Sequence, residues 1–319
     1  MKRILISGCA GFIGSSLIDM LLKMGNNQIV GIDNFDAYYD RSIKEVNMEL
    51  ALFNLDFKFH ELDILDAQSL NKIFQDSKPD IVIHLAAKAG VRPSIQDPIG
   101  YYDVNVRGTL NVLEAMRISG TKKLIFASSS SVYGNGMVVP FSENLNVDNP
   151  ISPYAASKKT GELLCHTYHH LYDMDIFCLR FFTVYGPRQR PDLAIRKFTK
   201  AIIEGAEIPF YGDGTTRRDY THINDIVHGI SNAIDRLKGY EVINLGESKT
   251  TSLEELVCIL EDAIGKKAQK KTLPMQDGDV LQTYADISKA QTILGYLPST
   301  DFKDGISDFV EWYKRSYCA

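Results

Sequence analysis

The sequence predicts an α/β protein, a doubly wound parallel sheet joined to a smaller, partly interleaved α/β unit. Three observations carry that expectation. Short apolar runs alternate with helical patterns up to about Pro187, a turn of three glycines joins the first run to the first helix, and the alternation breaks afterwards. A parallel sheet with helices on both faces requires this rhythm. With 45% hydrophobic residues in 319, there is apolar material for one large domain and a smaller one.

Residues 2–7 form an apolar run suited to a buried strand. Gly8, Gly11 and Gly14 follow, and then residues 12–23, where Ile13, Leu17, Met20 and Leu21 recur at helical spacing. Strand, glycine turn and helix together make a pyrophosphate site. Without Cβ atoms the backbone approaches the phosphates, and the helix N-terminus, opening at Phe12 and Ile13, directs free N–H groups at them. Residues 28–32 read as a second strand ending in Asp33. An acidic residue there accepts hydrogen bonds from ribose hydroxyls and repels a 2′-phosphate, which favours NAD over NADP.

Further strands are expected at 56–62, 80–84, 123–127 and 176–180, with helices at 68–74, 102–118 and 155–172 between them. Asp63 and Ile64 follow the third strand, and Leu85, Ala86 and Ala87 the fourth. These are carboxyl ends, where such sheets bind ligands, and the small alanines leave room for a cofactor. Beyond Pro187 the expected elements are helices at 196–204, 223–237, 252–264 and 304–317 and a strand at 207–211. The expected division is residues 1–186 as a Rossmann-type NAD-binding domain, to which the chain returns around 223–244, with 187–319 mainly a second, ligand-binding domain.

A net charge of −5 gives no electrostatic case for nucleic-acid binding. The five cysteines are scattered without Cys-x-x-Cys or a metal-ligand cluster, as expected of reduced thiols in a cytoplasmic protein without a metal. Lys2 and Arg3 before an apolar stretch imitate a secretion signal, but the three glycines break it, and no run is long enough to span a membrane.

Tyr154 and Lys158 are four residues apart within the expected helix 155–172 and its entry, so both side chains share a face. A phenol titrates near pH ~10 and is a poor base at neutrality unless a cation stabilises the phenolate. Lys158 is placed to supply one. The serine run Ser128 to Ser131 ends the fifth strand and leads into Val132-Tyr133-Gly134.

With Tyr154 and Lys158, that run resembles the Ser/Tyr/Lys centre of the extended short-chain dehydrogenase/reductase family, specifically its nucleotide-sugar 4-epimerases. The resemblance spans nearly the whole chain. It includes Gly31-Ile-Asp-Asn34, His84-Leu-Ala-Ala87, Asn105-Val-Arg-Gly-Thr109, Leu179 to Pro187, Arg217-Arg-Asp-Tyr220 and Tyr284 to Lys289. It implies Ser129 as the catalytic hydroxyl, Tyr154 as acid/base, and Lys158 as the ammonium that stabilises the phenolate and binds ribose. A register shift of one residue would implicate Ser130 instead. It further implies NAD contacts at Gly8, Gly11, Gly14, Asp33, Asn34, Asp63, Ile64 and Asn105, and UDP contacts at Arg218 and Asp279. The family's dehydratases carry an Asp-Glu pair after the catalytic hydroxyl and its decarboxylases a nearby glutamate. Here Ser130 and Ser131 follow, which favours inversion of a carbinol.

Tyr38-Tyr39, the segment Thr183 to Asp192, and Pro274-Met-Gln276-Asp-Gly-Asp279-Val280 look more like UDP-glucuronate 4-epimerases than UDP-glucose 4-epimerases. Asp277 departs from the glucuronate pattern, where proline is usual. The implied reaction interconverts UDP-glucuronate and UDP-galacturonate by transient oxidation at C4, turning of the 4-keto sugar and re-reduction. Thr183 and Arg190 are the candidates for the sugar carboxylate, with the pyrophosphate the other candidate partner of Arg190. The alternatives are a 4-epimerase of UDP-glucose or UDP-N-acetylglucosamine, a decarboxylase or dehydratase, and a non-catalytic NAD-sensing module. Residues 102–118 and 155–172 resemble the helices through which the family forms homodimers.

Overall fold

The computed structural model describes residues 1–136, 138–275 and 280–318. The chain opens with β1 (Lys2–Ser7), α1 (Phe12–Met24), β2 (Asn27–Asp33), α2 (Arg41–Leu52), β3 (Phe57–Glu61), α3 (Ala67–Ser77) and β4 (Ile81–His84). Two short helices, α4 (Val91–Gln96) and α5 (Pro98–Tyr102), run into a π-helical turn (Asp103–Gly108) and α6 (Thr109–Ser119). Then come β5 (Lys123–Ser129), a 3₁₀ turn (Ser130–Tyr133), α7 (Pro153–Tyr172), β6 (Asp175–Phe181) and β7 (Thr183–Tyr185). The remaining elements are α8 (Ala194–Glu204), β8 (Glu207–Tyr211), β9 (Arg217–Arg218), β10 (Tyr220–His222), α9 (Ile223–Arg236), β11 (Tyr240–Leu245) and β12 (Thr251–Ser252). They end with α10 (Leu253–Ile264), β13 (Gln269–Leu273), α11 (Ser288–Leu294) and α12 (Phe302–Tyr317).

Seven parallel strands form the central sheet in the order β11-β6-β5-β4-β1-β2-β3. The order reverses between β1 and β4, and a ligand crevice opens at such a switch point. Period-two alternation assigns each side chain its layer. On β1, Ile4 and Ile6 enter one apolar core with α1 and α9, whereas Leu5 enters the opposite core with α3, α6 and α7. A third core lies in the smaller unit, where α8, α10 and α12 pack with β8, whose parallel neighbour β13 forms the exposed edge.

The expected helix at 102–118 is three pieces. The π-helical turn falls where Gly108 comes so close to Ile64 that a Cβ there would lie 2.5 Å from Ile64 Cδ1. It also carries Asn105, whose side chain bonds to the backbone of Lys88 and to Ser157. Helix α2 has no counterpart among the expected elements. Its buried face is Lys44, Asn47, Met48 and Ala51, two of the four polar, so no apolar stripe announces it. Among the described residues no helix is long and apolar enough to cross a membrane.

Candidate active site

A cavity of about 400 Å³ lies at the carboxyl ends of β1 to β6. The glycine turn forms one end. Gly8 has φ +74°, the region that favours glycine, and a Cβ there would stand 2.6 Å from Ala86 N. A Cβ on Gly14 would lie 2.3 Å from Gly8 O. Only bare backbone fits, which leaves the N-terminus of α1 open to the cavity at Gly11, Phe12 and Ile13.

At the tip of β2, Asp33 is buried. Its carboxylate accepts from Ala10 N at 3.1 Å and Phe35 N at 2.8 Å, with Lys44 Nζ 3.7 Å away. Burial pushes this carboxyl up, while Lys44 and the backbone donors pull it down. Asn34 Nδ2 donates to Asp63 Oδ2 at 2.9 Å, linking the tips of β2 and β3. Ile64, Leu85, Ala86 and Ala87 line the wall beside them. Asn105 is not on that wall. It stands behind, bonded to Lys88 N and O at 2.8 and 2.9 Å, and braces the segment after β4.

The other end of the cavity holds Ser129, Ser130, Tyr154, Lys158, Thr183 and Arg190. The four serines diverge. Ser128 Oγ donates to the buried Glu162 at 2.6 Å, behind the sheet. Glu162 in turn makes a two-pronged pair with the buried Arg180, both contacts at 2.8 Å. Ser129 is hydrogen-bonded to Tyr154 and donates to Ser131 Oγ at 3.1 Å. Of the four serines, Ser129 is therefore the one whose side chain acts on the phenol.

Burial pushes the Tyr154 phenol above its ordinary value, and the Ser129 hydrogen bond and the Arg190 charge oppose that rise. Lys158 is buried one turn along α7, with Nζ donating to Ala127 O at 2.7 Å. Burial pushes this ammonium down to about 8, opposed by Cys165 and Glu162. Arg190, from the loop after β7, is thus a cation that acts on the phenol, and the helical spacing of Tyr154 and Lys158 does not point to it.

Arg190 is itself paired. Its Nε and Nη2 donate to Asp192 at 2.9 and 2.8 Å, and its guanidinium lies 5.3 Å from the ring centre of Tyr38, whose hydroxyl donates to Asp192 at 3.2 Å. Tyr101 stands edge-on to Tyr154. Arg218 does not line this cavity. It is half-buried on β9, with Nη1 donating to Arg217 O. Asp279, with Gln276 and Asp277, lies outside the described residues. Sequence reasoning assigned no part to Lys44, Tyr101 or Asp192. Asp192, a carboxylate two residues beyond Arg190, carried a usable signal, whereas Lys44 sits on the helix that periodicity did not reveal.

The sequence profile of the family described as GDP-mannose 4,6 dehydratase matches residues 5–309. The chain belongs to that family. Among relatives within reach of this GDP-mannose 4,6 dehydratase family member, the UDP-glucuronate 4-epimerase of Thermodesulfobacterium geofontis is 46% identical over 317 residues, 99% of this chain and 97% of that one. The solved UDP-glucuronic acid 4-epimerase of Bacillus cereus, in complex with UDP-glucuronic acid and NAD, superposes with a TM-score of 0.94 at 40% identity, covering 99% of this chain and 100% of that one. The UDP-glucose 4-epimerase of Thermotoga maritima with UDP-glucose gives a TM-score of 0.90 at 31% identity, covering 98% and 99%.

Proposed function

We propose that this chain is an NAD-dependent UDP-sugar 4-epimerase that interconverts UDP-glucuronate and UDP-galacturonate. The observation that carries the acidic sugar is the Arg190 guanidinium in the wall of the cavity, acting on the Tyr154 phenol. That location puts a positive charge beside the reacting carbinol, where the C6 carboxylate of a uronate needs charge-assisted hydrogen bonds.

The residues fit NAD. The glycine turn admits a pyrophosphate because Cβ atoms at Gly8 and Gly14 would collide with backbone, and Asp33 offers remaining lone pairs to ribose hydroxyls. Bound NAD supplies the acceptor and donor of hydride at C4. Tyr154, as phenolate, takes the C4 hydroxyl proton at its Oη and later returns it, with Ser129 completing the hydrogen-bond path. Lys158 holds its ammonium on Ala127 O, next to the cofactor's place, while Arg218 and Asp279 are assigned to UDP. Thr183 assists Arg190 at the carboxylate, and Ser130 lines the sugar's place.

The division into an NAD-binding part, residues 1–186 with a return at 223–244, and a mainly UDP-sugar-binding part, 187–319, belongs to the same reading. So does a cytoplasmic homodimer, for which exposed Leu110, Ile118, Leu163 and Leu171 on α6 and α7 supply an apolar face. A second reading, a 4-epimerase of UDP-glucose or UDP-N-acetylglucosamine, draws support from Asp192, which balances the Arg190 charge.

Incubation with a panel of UDP-sugars, with separation of products, tests the proposal: UDP-glucuronate is expected to be turned over fastest. Equal or faster turnover of UDP-glucose would favour the second reading. Replacing Asp33 by alanine is expected to weaken NAD about tenfold or more and to relax the rejection of NADP, because the ribose acceptor and the charge opposing a phosphate vanish together. Cofactor titrations of the variant measure both. Unchanged affinity and discrimination would reduce Asp33 to a shaper of its turn.

A further inference from the structure

We propose that Asp192 is a positioning residue that tempers the grip of Arg190 on an anionic sugar, so that the oxidised sugar is free to turn within the cavity. The inference rests on the uronate reading above. A 4-epimerase must present both faces of C4 to one hydride site, so the sugar has to leave its first orientation without leaving the enzyme. A guanidinium that met a desolvated carboxylate alone, through two parallel hydrogen bonds, would fix one orientation.

The Arg190 guanidinium is not alone. Asp192 already occupies its Nε and Nη2 through both carboxylate oxygens, and Nη1 has no protein partner among the described residues. An arriving sugar carboxylate therefore meets a cation whose charge is balanced and whose fork is half taken, with a like charge beside it. Tyr38 keeps Asp192 in that position, donating its hydroxyl to the oxygen that also receives Nη2.

The loop has anchors besides Asp192. The segment between β7 and α8 is pinned to α1 by Arg188, whose Nη2 lies 2.7 Å from Asp19 Oδ2. It is pinned to its own neighbours by the buried Gln189, which donates to Val184 O at 3.2 Å and whose carbonyl accepts from Arg196 at 2.6 Å. The carboxylate of Asp192, which reaches the loop after β2 only through the Tyr38 hydroxyl, points its charge at Arg190.

The test compares wild type with Asp192→Asn and Asp192→Ser in the NAD-loaded enzyme, after thermal melts establish folding. Equilibrium binding of UDP-glucuronate and UDP-glucose is measured by calorimetry, and kcat is measured for each. Without the counter-charge, UDP-glucuronate is expected to bind about tenfold tighter, the effect of roughly 1.4 kcal/mol, while its kcat falls. UDP-glucose is expected to change much less in both. A purely bracing role predicts weaker binding or an equal loss of kcat for both sugars, and either result overturns the proposal. Wild-type enzyme that binds UDP-glucose as tightly as UDP-glucuronate overturns the uronate reading itself, and is seen before any variant is compared.

Discussion

Tyr154→Phe is expected to lose most turnover, by about 10²–10⁴-fold, while binding NAD and UDP as the wild type does. The substitution removes one oxygen and leaves the ring that packs edge-on against Tyr101. What disappears is the only atom in the Ser129–Tyr154 contact that can carry the proton of a C4 carbinol as a phenolate. Ser129 cannot substitute, since an aliphatic hydroxyl is a far weaker acid. Product formation and cofactor retention, measured on the same preparation, should part company. Turnover near the wild-type rate would take Tyr154 out of acid/base chemistry.

The inner strands of the sheet were legible because they are largely buried on both faces and read as apolar runs, as at residues 80–84 and 176–180. The edge strand β11, half of it only partly buried, was not among the expected strands. The glycine turn was legible for a different reason: close backbone approach leaves no residue but glycine at Gly8 and Gly14. The partnership of Tyr38 with Asp192 was not legible, because it joins residues 154 apart in sequence through a loop after β2 and a loop after β7. Neither loop has a period to read. Lys158 shows a subtler limit. Helical spacing brings it to the same face as Tyr154, yet the distance from β5 decides its partner, and that partner is Ala127 O. Which cations act on the phenol is a matter of packing across elements, and here one arrives from the loop that bears Arg190.

Arg190→Ala is expected to lower kcat/KM for UDP-glucuronate by roughly tenfold to a hundredfold, from the loss of charge-assisted hydrogen bonds worth about 1.5–3 kcal/mol. The Asp192 carboxylate, left without its cation and holding only the Tyr38 hydroxyl, adds repulsion against an acidic sugar and none against a neutral one. UDP-glucose should therefore suffer much less in binding. Both sugars should share one change. Arg190 opposes the rise that burial imposes on the Tyr154 phenol, so its removal lets that pKa climb further, and the active phenolate then forms only at higher pH. The acid limb of the pH–rate profile is expected to move to higher pH for either sugar, while the preference for the acidic sugar shrinks. Free UDP separates this account from its rival. A large loss of UDP affinity in the variant, with sugar preference and the acid limb unmoved, would put the guanidinium on the pyrophosphate. Unchanged UDP affinity with a collapsed preference would put it on the sugar carboxylate, beside the carbinol that Tyr154 deprotonates.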